Sequence, residues 1–344
     1  MSKKAIDHFI IPIFIPNQGC PYRCIFCNQK SITNSSVSLP SGDSIRKTID
    51  SGINSRRFLD QKIKEVAFFG GTFTSLPPSS MVELLGAVGP YLQKGIIQSI
   101  RLSTRPDALD QDKLDILEAF GVTTVELGAQ SMDESVLQRS HRGHSASDTI
   151  NAVTVLKKRE LCVGIQLMTG LPGDSPELFM DTIDKVIALQ PDMARLYPTL
   201  VIRATELAQW YRQGKFMPMG LEETVALCKD ACLKLENAGI PVIRIGLMSS
   251  PSLLTKGEII AGPWHPSLGS LVRSAMHLER IRPYLPARGE VKSIVLHVPK
   301  EEICLLKGHK NSGVRHLEAI TGAVIKDIIP DDSVASGEVA FESA

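Results

Sequence analysis

Short apolar runs alternate with amphipathic segments over most of the chain. The apolar runs cover residues 8–16, 65–69, 99–103, 123–128, 162–168 and 193–197. Between them, apolar residues recur at helical spacing over residues 44–59, 112–120, 147–159 and 176–189, with a further helix after residues 77–78. Six strands that alternate with helices predict βαβ units and a parallel sheet. A doubly wound open sheet and a closed or partial barrel both fit this alternation.

The C-terminal ends of the predicted strands carry glycine and polar residues in short motifs. Strands two to six end in Gly70-Gly71-Thr72, Ser103-Thr104-Arg105-Pro106-Asp107, Gly128-Ala129-Gln130-Ser131, Gln166-Leu167-Met168-Thr169-Gly170 and Arg195-Leu196-Tyr197-Pro198. Sites in parallel α/β architectures lie at the C-terminal ends of the strands. These motifs are therefore expected to surround one site.

Three cysteines follow the first predicted strand. Cys20, Cys24 and Cys27 stand in a C-x3-C-x2-C spacing on one short loop. Such a set of thiolates can converge on one soft metal centre, typically an iron–sulfur cluster. A zinc loop or three unrelated thiols are the alternatives, but structural zinc normally takes four protein ligands and this loop offers no fourth. A [4Fe–4S] cluster held by three thiolates keeps one iron free for another ligand.

Composition and charge favour a globular protein with a metal centre. Of 344 residues, 43% are hydrophobic and 22% charged, and the formal net charge of +1 gives no global attraction to nucleic acid or membrane. No apolar run reaches the roughly 18 residues of a membrane span. Seven cysteines, three of them clustered, indicate metal ligation in a reducing cytoplasm rather than a disulfide framework. Cys228 and Cys232 share one face of a predicted helix and are expected to be buried thiols.

Together, the cysteine spacing and the strand-end motifs resemble the radical S-adenosylmethionine superfamily. The runs around Thr104-Arg105-Pro106-Asp107, Gln130-Ser131 and Tyr197-Pro198-Thr199-Leu200 resemble its Elongator catalytic subunit (Elongator protein 3-like) branch, here without the acetyltransferase domain. The resemblance implies a partial (βα)6 TIM-like barrel with the cluster loop after the first strand. It also implies that S-adenosylmethionine binds the free iron and is cleaved to a 5′-deoxyadenosyl radical. The electron would come from a donor such as a flavodoxin or ferredoxin.

The same resemblance assigns roles to individual residues. It places cosubstrate contacts at Phe26, Gly70, Gly71, Thr72, Ser103, Gln130, Arg142, Gln166 and Met168. The planar donor fork of Arg142 suits a carboxylate. Ser103 stands where relatives have glutamate, and Gln166 stands where they have histidine or aspartate. Tyr197 either stabilises or relays a substrate radical as a catalytic residue, or packs the barrel mouth.

A separate unit is predicted at the C-terminal end. Strand 293–299, helix 301–306, a turn at 308–311, helix 313–321 and strand 323–329 follow one another. This order resembles a minimal KH module, whose G-x-x-G loop clamps single-stranded nucleotides. The resemblance assigns RNA contacts to Lys307, Gly308, His309 and Lys310, whereas Asn311 replaces the final glycine. A subdomain that only caps the barrel is the alternative.

We therefore predict three regions: a radical SAM barrel over 1–248, a connecting segment over 249–289 and an α+β module over 290–344. The leading hypothesis is a cytoplasmic radical SAM enzyme that acts on RNA, with tRNA as the suspected substrate. One alternative is a small-molecule enzyme that resembles the oxygen-independent coproporphyrinogen oxidases. The other is a non-catalytic iron–sulfur protein that binds RNA.

Overall fold

The computed structural model describes residues 8–33, 38–56, 58 and 63–344. Its main sheet has seven parallel strands in the order β1-β2-β3-β4-β5-β6-β8. The first six are β1 (His8–Phe14), β2 (Ile63–Phe69), β3 (Ser99–Thr104), β4 (Val122–Gln130), β5 (Cys162–Thr169) and β6 (Met193–Pro198). After β7 (Val201–Ile202), the strand β8 (Val242–Ile245) completes the sheet. The sheet curls into a half-barrel, which confirms the predicted fold class.

The seventh parallel strand was not predicted from the sequence. Strand β8 has four residues and includes Arg244, so it lacks the apolar run that identified the other six. It pairs in parallel with β6, where Arg244 lies opposite Arg195. The sequence interpretation therefore gave the correct architecture with one strand too few.

Thirteen helices lie within the described part of the chain. They are α1 (Gln29–Thr33), α2 (Gly42–Ile53), α3 (Pro78–Gly86), α4 (Gly89–Gln93), α5 (Gln111–Ala119), α6 (Glu134–Arg139), α7 (Ala146–Lys158), α8 (Pro176–Leu189), α9 (Glu206–Arg212), α10 (Leu221–Asn237), α11 (Leu268–Ile281), α12 (Ile303–Lys307) and α13 (Ser312–Thr321). Several begin at a side chain that accepts a backbone N–H of the first turn, which satisfies an otherwise unpaired donor. Ser145 and Asp148 form a reciprocal capping box at α7, and Ser175 caps α8.

The two faces of the main sheet differ because side chains alternate along each strand. On β3, Ile100 and Leu102 are fully buried in the apolar core that the strands share with the outer helices. Ser99, Arg101 and Ser103 occupy the intervening positions and face the barrel interior. The same alternation recurs on β4 to β6, so the interior of the half-barrel is polar while its outer layer is apolar.

The C-terminal unit has its own sheet and its own core. Strand β10 (Ser293–Val298) lies between β11 (Val324–Pro330), which is parallel to it, and β12 (Ala340–Ser343), which is antiparallel. Helices α12 and α13 connect β10 to β11, so the predicted strand–helix–turn–helix–strand order is confirmed. A separate apolar cluster fills this unit, with Leu296, Leu306 and Leu317 fully buried.

Helix α11 belongs to both cores. Its residues Leu268, Val272 and Met276 pack in the main core, whereas Ile281 packs with the C-terminal unit. The segment predicted as a connection over 249–289 thus contains a helix that covers the barrel next to β8. It also contains β9 (Ile259–Ala261), which pairs with β7 just beyond the end of β6.

Helices long and apolar enough to cross a membrane are absent from the residues that the structure describes.

Because the C-terminal unit has its own apolar core, truncating a buried side chain there should destabilise that unit and leave the main sheet intact. Leu296→Ala should destabilise that unit by about 2–5 kcal/mol because it leaves a cavity on the central strand β10. Hydrogen exchange should show lost protection over residues 293–343 while the amides of β2 to β6 keep theirs. The matched variant Leu196→Ala on β6 should instead lower protection across the main sheet. Loss of protection in β2 to β6 by Leu296→Ala would contradict this division.

Candidate active site at the mouth of the half-barrel

The cysteine loop lies across the C-terminal ends of the strands and is held by four neighbouring segments. Thr72 N donates to Gln18 O at 2.9 Å, and Ile25 N donates to Ser140 O at 3.3 Å. Ile25 O accepts from Leu207 N at 2.9 Å. Directly after the third cysteine, Asn28 Nδ2 donates to Arg203 O at 2.9 Å. The loop is therefore fixed to the end of β2, to the end of α6, to α9 and to the residue after β7, by three backbone hydrogen bonds and one from the Asn28 side chain.

The cysteine loop and the end of β2 approach each other so closely that each side has a glycine, Gly19 in the loop and Gly71 after β2. A Cβ atom on Gly71 would lie 2.2 Å from Gln18 O and 2.5 Å from Ile15 O. Gly19, with φ +70°, would place its Cβ 2.2 Å from Thr72 O. Any side chain at either position would push the cysteine loop away from β2. The Gly70-Gly71-Thr72 motif thus packs against the loop, and its predicted contact with S-adenosylmethionine stays a prediction.

The three cysteines share one site. All three are free and partly accessible. Thr72 Oγ1 lies 3.3 Å from Cys20 Sγ, and Arg142 Nη1 donates to Cys24 Sγ at 2.9 Å. Burial raises the pKa of Cys27 to about 12, and negative charge on Cys24 and Cys20 raises it further.

The donor set fits an iron–sulfur cluster better than a single metal ion. Among the described residues, no three His, Cys, Asp or Glu side chains are arranged to hold one ion. Ligands of a single tetrahedral zinc, with bonds of about 2.3 Å, lie only about 3.8 Å apart. A cubic cluster is wider because each thiolate binds a different iron. Three thiolates with no fourth protein ligand suit such a cluster with one iron open.

Two predicted cosubstrate residues contact each other inside the barrel. Gln166 Nε2 donates to Ser103 Oγ at 3.1 Å and to Glu126 Oε2 at 2.8 Å. Met168 lies opposite Tyr197 in the pairing of β5 with β6, one layer closer to the mouth. Ser103, Gln166, Met168 and Tyr197 are thus gathered on the interior face.

The remaining predicted contacts lie around the cysteine loop. Arg142 is 6% exposed, and its Nη2 donates to Gly128 O, whereas its Nε is buried and has no hydrogen-bond partner among the described residues. Gln130 holds a positive φ of 69° at a register shift of β4, a backbone conformation that is unusual for a residue other than glycine. Phe26 packs partly against the apolar cluster that includes Val201 and Leu207. Their cosubstrate roles remain predictions.

The sequence interpretation missed a buried charge network that lines the barrel interior. Arg101 on β3 pairs with Glu65 at 2.8 Å and with Glu126 at 3.0 Å. Arg195 on β6 pairs with Glu126 at 2.6 Å, and its Nη1 donates to Tyr197 Oη at 3.4 Å. The sequence did carry a signal for this network, because residues 99–103 and 123–128 each contain one charged residue within an otherwise uncharged strand. Burying charge is costly unless it is paired in this way.

The predicted RNA-binding turn lies outside this constellation. Lys307, His309 and Lys310 are exposed, and Gly308, Lys310 and Asn311 all have positive φ. The His309 ring packs edge-on against the ring of His265 with centroids 5.0 Å apart. No hydrogen bond or ion pair within the described residues joins the turn directly to Cys20, Cys24 or Cys27.

The comparison with protein families identifies the class to which this site belongs. The chain matches the Radical SAM superfamily over residues 14–186 and the Radical_SAM C-terminal domain over residues 191–278. The chain therefore belongs to the radical SAM superfamily, and it is a radical SAM enzyme. Binding of a [4Fe–4S] cluster and cleavage of S-adenosylmethionine are general to this superfamily.

Individual relatives place the chain near the Elongator branch. It is similar to the uncharacterized protein MJ0486 of Methanocaldococcus jannaschii, with 29% identity over 234 residues, which are 64% of this chain and 70% of that protein. It is 38% identical over 133 residues to the tRNA uridine(34) acetyltransferase of Methanocaldococcus infernus, covering 38% of this chain and 25% of that protein. The N-terminally truncated Elp3 structure of Methanocaldococcus infernus has the same fold, with a TM-score of 0.60, 23% identity and coverage of 79% of this chain and 63% of that one. The chain thus spans only about a quarter of that acetyltransferase.

Removing one cysteine should abolish the cluster. Anaerobically reconstituted Cys24→Ala protein should lose the iron and the visible absorbance of the wild type. It should also release no 5′-deoxyadenosine with dithionite and S-adenosylmethionine. Cys304→Ala, which removes an exposed thiol far along the chain, is the matched control and should keep all three properties. Retained iron in Cys24→Ala would refute the ligand assignment.

The buried ring of His144, next to the cysteine loop, should make the folded protein less stable in acid. Its Nε2 lies 3.2 Å from Ala129 O and therefore carries the hydrogen, while Nδ1 is buried and finds no hydrogen-bond partner in the part of the chain that the structure describes. Burial, reinforced by the charge of Arg142, lowers the pKa of His144 from 6.5 to about 3. Stability from the neutral ring is therefore complete above pH 6.5 and is lost as the pH falls from 6.5 towards 3.

A glutamine at this position would keep a donor for Ala129 but could not titrate. The free energy of unfolding of His144→Gln, measured with urea, should fall less than that of the wild type between about pH 7.5 and about pH 5.5. Equal losses in the two proteins would show that His144 is not responsible.

Proposed function

We propose that this radical SAM enzyme modifies RNA, with tRNA as the substrate class. The observation that carries the proposal is the exposed basic turn at 307–310, which contacts the segment that covers the barrel mouth. In this proposal, Cys20, Cys24 and Cys27 hold a [4Fe–4S] cluster and the interior residues bind S-adenosylmethionine. Bound together, these groups supply a carbon-centred radical that abstracts hydrogen from the substrate.

The residues around the loop have positioning tasks. Thr72 and Arg142 place a hydroxyl and a guanidinium against the sulfur atoms of Cys20 and Cys24. Hydrogen bonds to the sulfurs tune the reduction potential of such centres. Apolar packing of Ile25 with Leu207 and Phe216 closes the underside of the loop against water. Tyr197, held by Arg195, stands at the level where substrate would meet the cosubstrate.

One segment, residues 250–265, links the basic turn to the cysteine loop along the chain. His309 packs on His265, which follows β9 by four residues. Farther back in the same segment, Ser250 Oγ and Ser252 Oγ donate to Ser31 O at 3.0 and 2.6 Å. Ser31 lies in α1, which begins two residues after Cys27. The segment therefore contacts the turn near one end and the helix that follows the cysteines near the other.

Charge at the turn suits a phosphate backbone. Lys307, His309, Lys310, Arg315 and His316 lie within ten residues and are exposed. Because the whole chain has a net charge of only +1, this local excess is what would attract RNA. The positive φ values bend the backbone sharply, as a KH-type clamp requires, and Asn311 adopts the left-handed conformation in place of glycine.

One group of relatives supports RNA as the substrate class, because the tRNA uridine(34) acetyltransferases carry a tRNA substrate in their name. The Elongator complex protein 3 of Saccharomyces cerevisiae is 28% identical over 172 residues, and its name states no substrate. The matches to both cover less than half of those proteins, so their chemistry is not transferred here. An electron donor such as a flavodoxin or ferredoxin would reduce the cluster.

Salt-dependent tRNA binding tests the proposal. The Lys307→Ala/Lys310→Ala variant should bind tRNA more weakly than the wild type. The slope of log K against log salt should shrink by roughly 1.4, since each phosphate contact to a single strand contributes about 0.7. Lys94→Ala/Lys158→Ala removes two exposed lysines elsewhere and should keep the wild-type affinity and slope.

Mass spectrometry of tRNA nucleosides from a deletion strain would then identify the product. A missing modification that returns with the wild type, but not with the Lys307→Ala/Lys310→Ala variant, is the expected result. Equal tRNA binding by both lysine variants together with unchanged nucleosides would overturn the proposal. A small-molecule substrate, as in the coproporphyrinogen oxidase alternative, would then be favoured.

A further inference from the structure

Glu126 is a buried carboxylate of the barrel interior that binds three side chains from three strands. It is 1% exposed on the interior face of β4. Its Oε1 accepts from Arg101 Nη1 at 3.0 Å and from Arg195 Nη2 at 2.6 Å. Its Oε2 accepts from Gln166 Nε2 at 2.8 Å. One side chain thus joins β3, β5 and β6 directly beneath the predicted cosubstrate contacts.

The neighbouring strand is shaped to receive this side chain. Gly164 lies opposite Glu126 in the pairing of β4 with β5. A Cβ atom on Gly164 would lie 3.0 Å from Glu126 Cγ and 3.2 Å from Met193 Cγ. The absence of a side chain at position 164 lets Glu126 lean across β5 and reach Arg195 on β6.

The carboxylate determines which end of the Gln166 amide faces the interior. An ionised carboxylate only accepts hydrogen bonds, so the Gln166 nitrogen must face it. The amide oxygen, which accepts, then faces away from the carboxylate, where a ligand in the lumen would meet it.

Glu126 stands beside the serine at position 103. Ser103 is its partner in the pairing of β3 with β4 and has no charge, whereas Glu126 places a carboxylate at the same level. The same carboxylate also binds Arg195, which contacts two side chains at the mouth of the barrel. The Arg195 guanidinium lies 5.0 Å from the Phe69 ring centroid, and its Nη1 donates to Tyr197 Oη at 3.4 Å.

We infer that Glu126 is a positioning residue for S-adenosylmethionine: it orients the Gln166 amide so that its oxygen accepts from a donor of the bound cosubstrate. This inference rests on the proposed binding of S-adenosylmethionine at the interior face. It assigns Glu126 no direct contact with the cosubstrate, since Glu126 acts through Gln166 and Arg195.

Exchanging the carboxylate of Glu126 and the amide of Gln166 tests the inference. In Glu126→Gln, Arg101 and Arg195 donate to the new amide oxygen, so the new NH2 group faces Gln166. The Gln166 amide must then turn and present a donor to the lumen. The dissociation constant of S-adenosylmethionine, measured by equilibrium dialysis with the cluster-loaded protein, should rise about tenfold for one mismatched hydrogen bond.

The double variant Glu126→Gln/Gln166→Glu restores an acceptor at position 166 and should recover most of that loss. Gln166→Glu alone sets two carboxylates against each other and should bind more weakly than the double variant. Glu65→Gln is the matched control. It removes a buried carboxylate that accepts from Arg101 and Ser99 rather than from Gln166, so its dissociation constant for S-adenosylmethionine should rise less than that of Glu126→Gln.

If Glu126→Gln does not fold, Gly164→Ala replaces it in the test. This variant keeps every polar group, but its new methyl group would press on the Glu126 side chain. It should weaken S-adenosylmethionine binding while thermal unfolding shows a folded protein. Wild-type affinity in folded Glu126→Gln or Gly164→Ala would overturn the inference, and so would equal losses in Glu126→Gln and Glu65→Gln. A cluster-loaded wild type that binds no S-adenosylmethionine would instead overturn the proposed function.

Discussion

The contact between the cysteine loop and the end of β2 is the constraint on which the site depends. Gly71 and Gly19 meet the opposing backbone at distances that exclude any side chain. Because this contact fixes where the loop crosses the sheet, it also fixes where Cys20 meets Thr72 and where Cys24 meets Arg142. The glycines that a sequence comparison would assign to ligand binding therefore also determine the geometry of the metal site.

Below that loop, the barrel interior is organised by charge. Glu65, Glu126, Arg101 and Arg195 alternate across the strands, and each buried charge has a partner of opposite sign. Replacing one member leaves another charge buried without compensation, which is far more costly than losing a surface ion pair. Such a network specifies one arrangement of the interior side chains, and rigid partners of this kind hold a binding site in a single geometry.

Local sequence signals predicted the six longer strands, the cysteine loop and the order of the C-terminal unit, because each depends on spacing along the chain. Strand β8 escaped prediction because it is short and includes Arg244. The hydrogen bond from Gln166 to Glu126 escaped because the two residues lie on different strands, and only the register of the sheet brings them together. The departure at Ser103 stays a prediction, and the carboxylate beside it could be found only in three dimensions.

The main sheet ends at β1 and β8, which do not pair with each other, so the half-barrel has an open side. Proline is tolerated on an edge strand because it need not donate to a neighbour, and Pro12 stands exposed in the middle of β1. Its missing N–H also discourages another chain from extending the sheet. The interior of an unclosed sheet of this kind can be reached from the side as well as from the mouth.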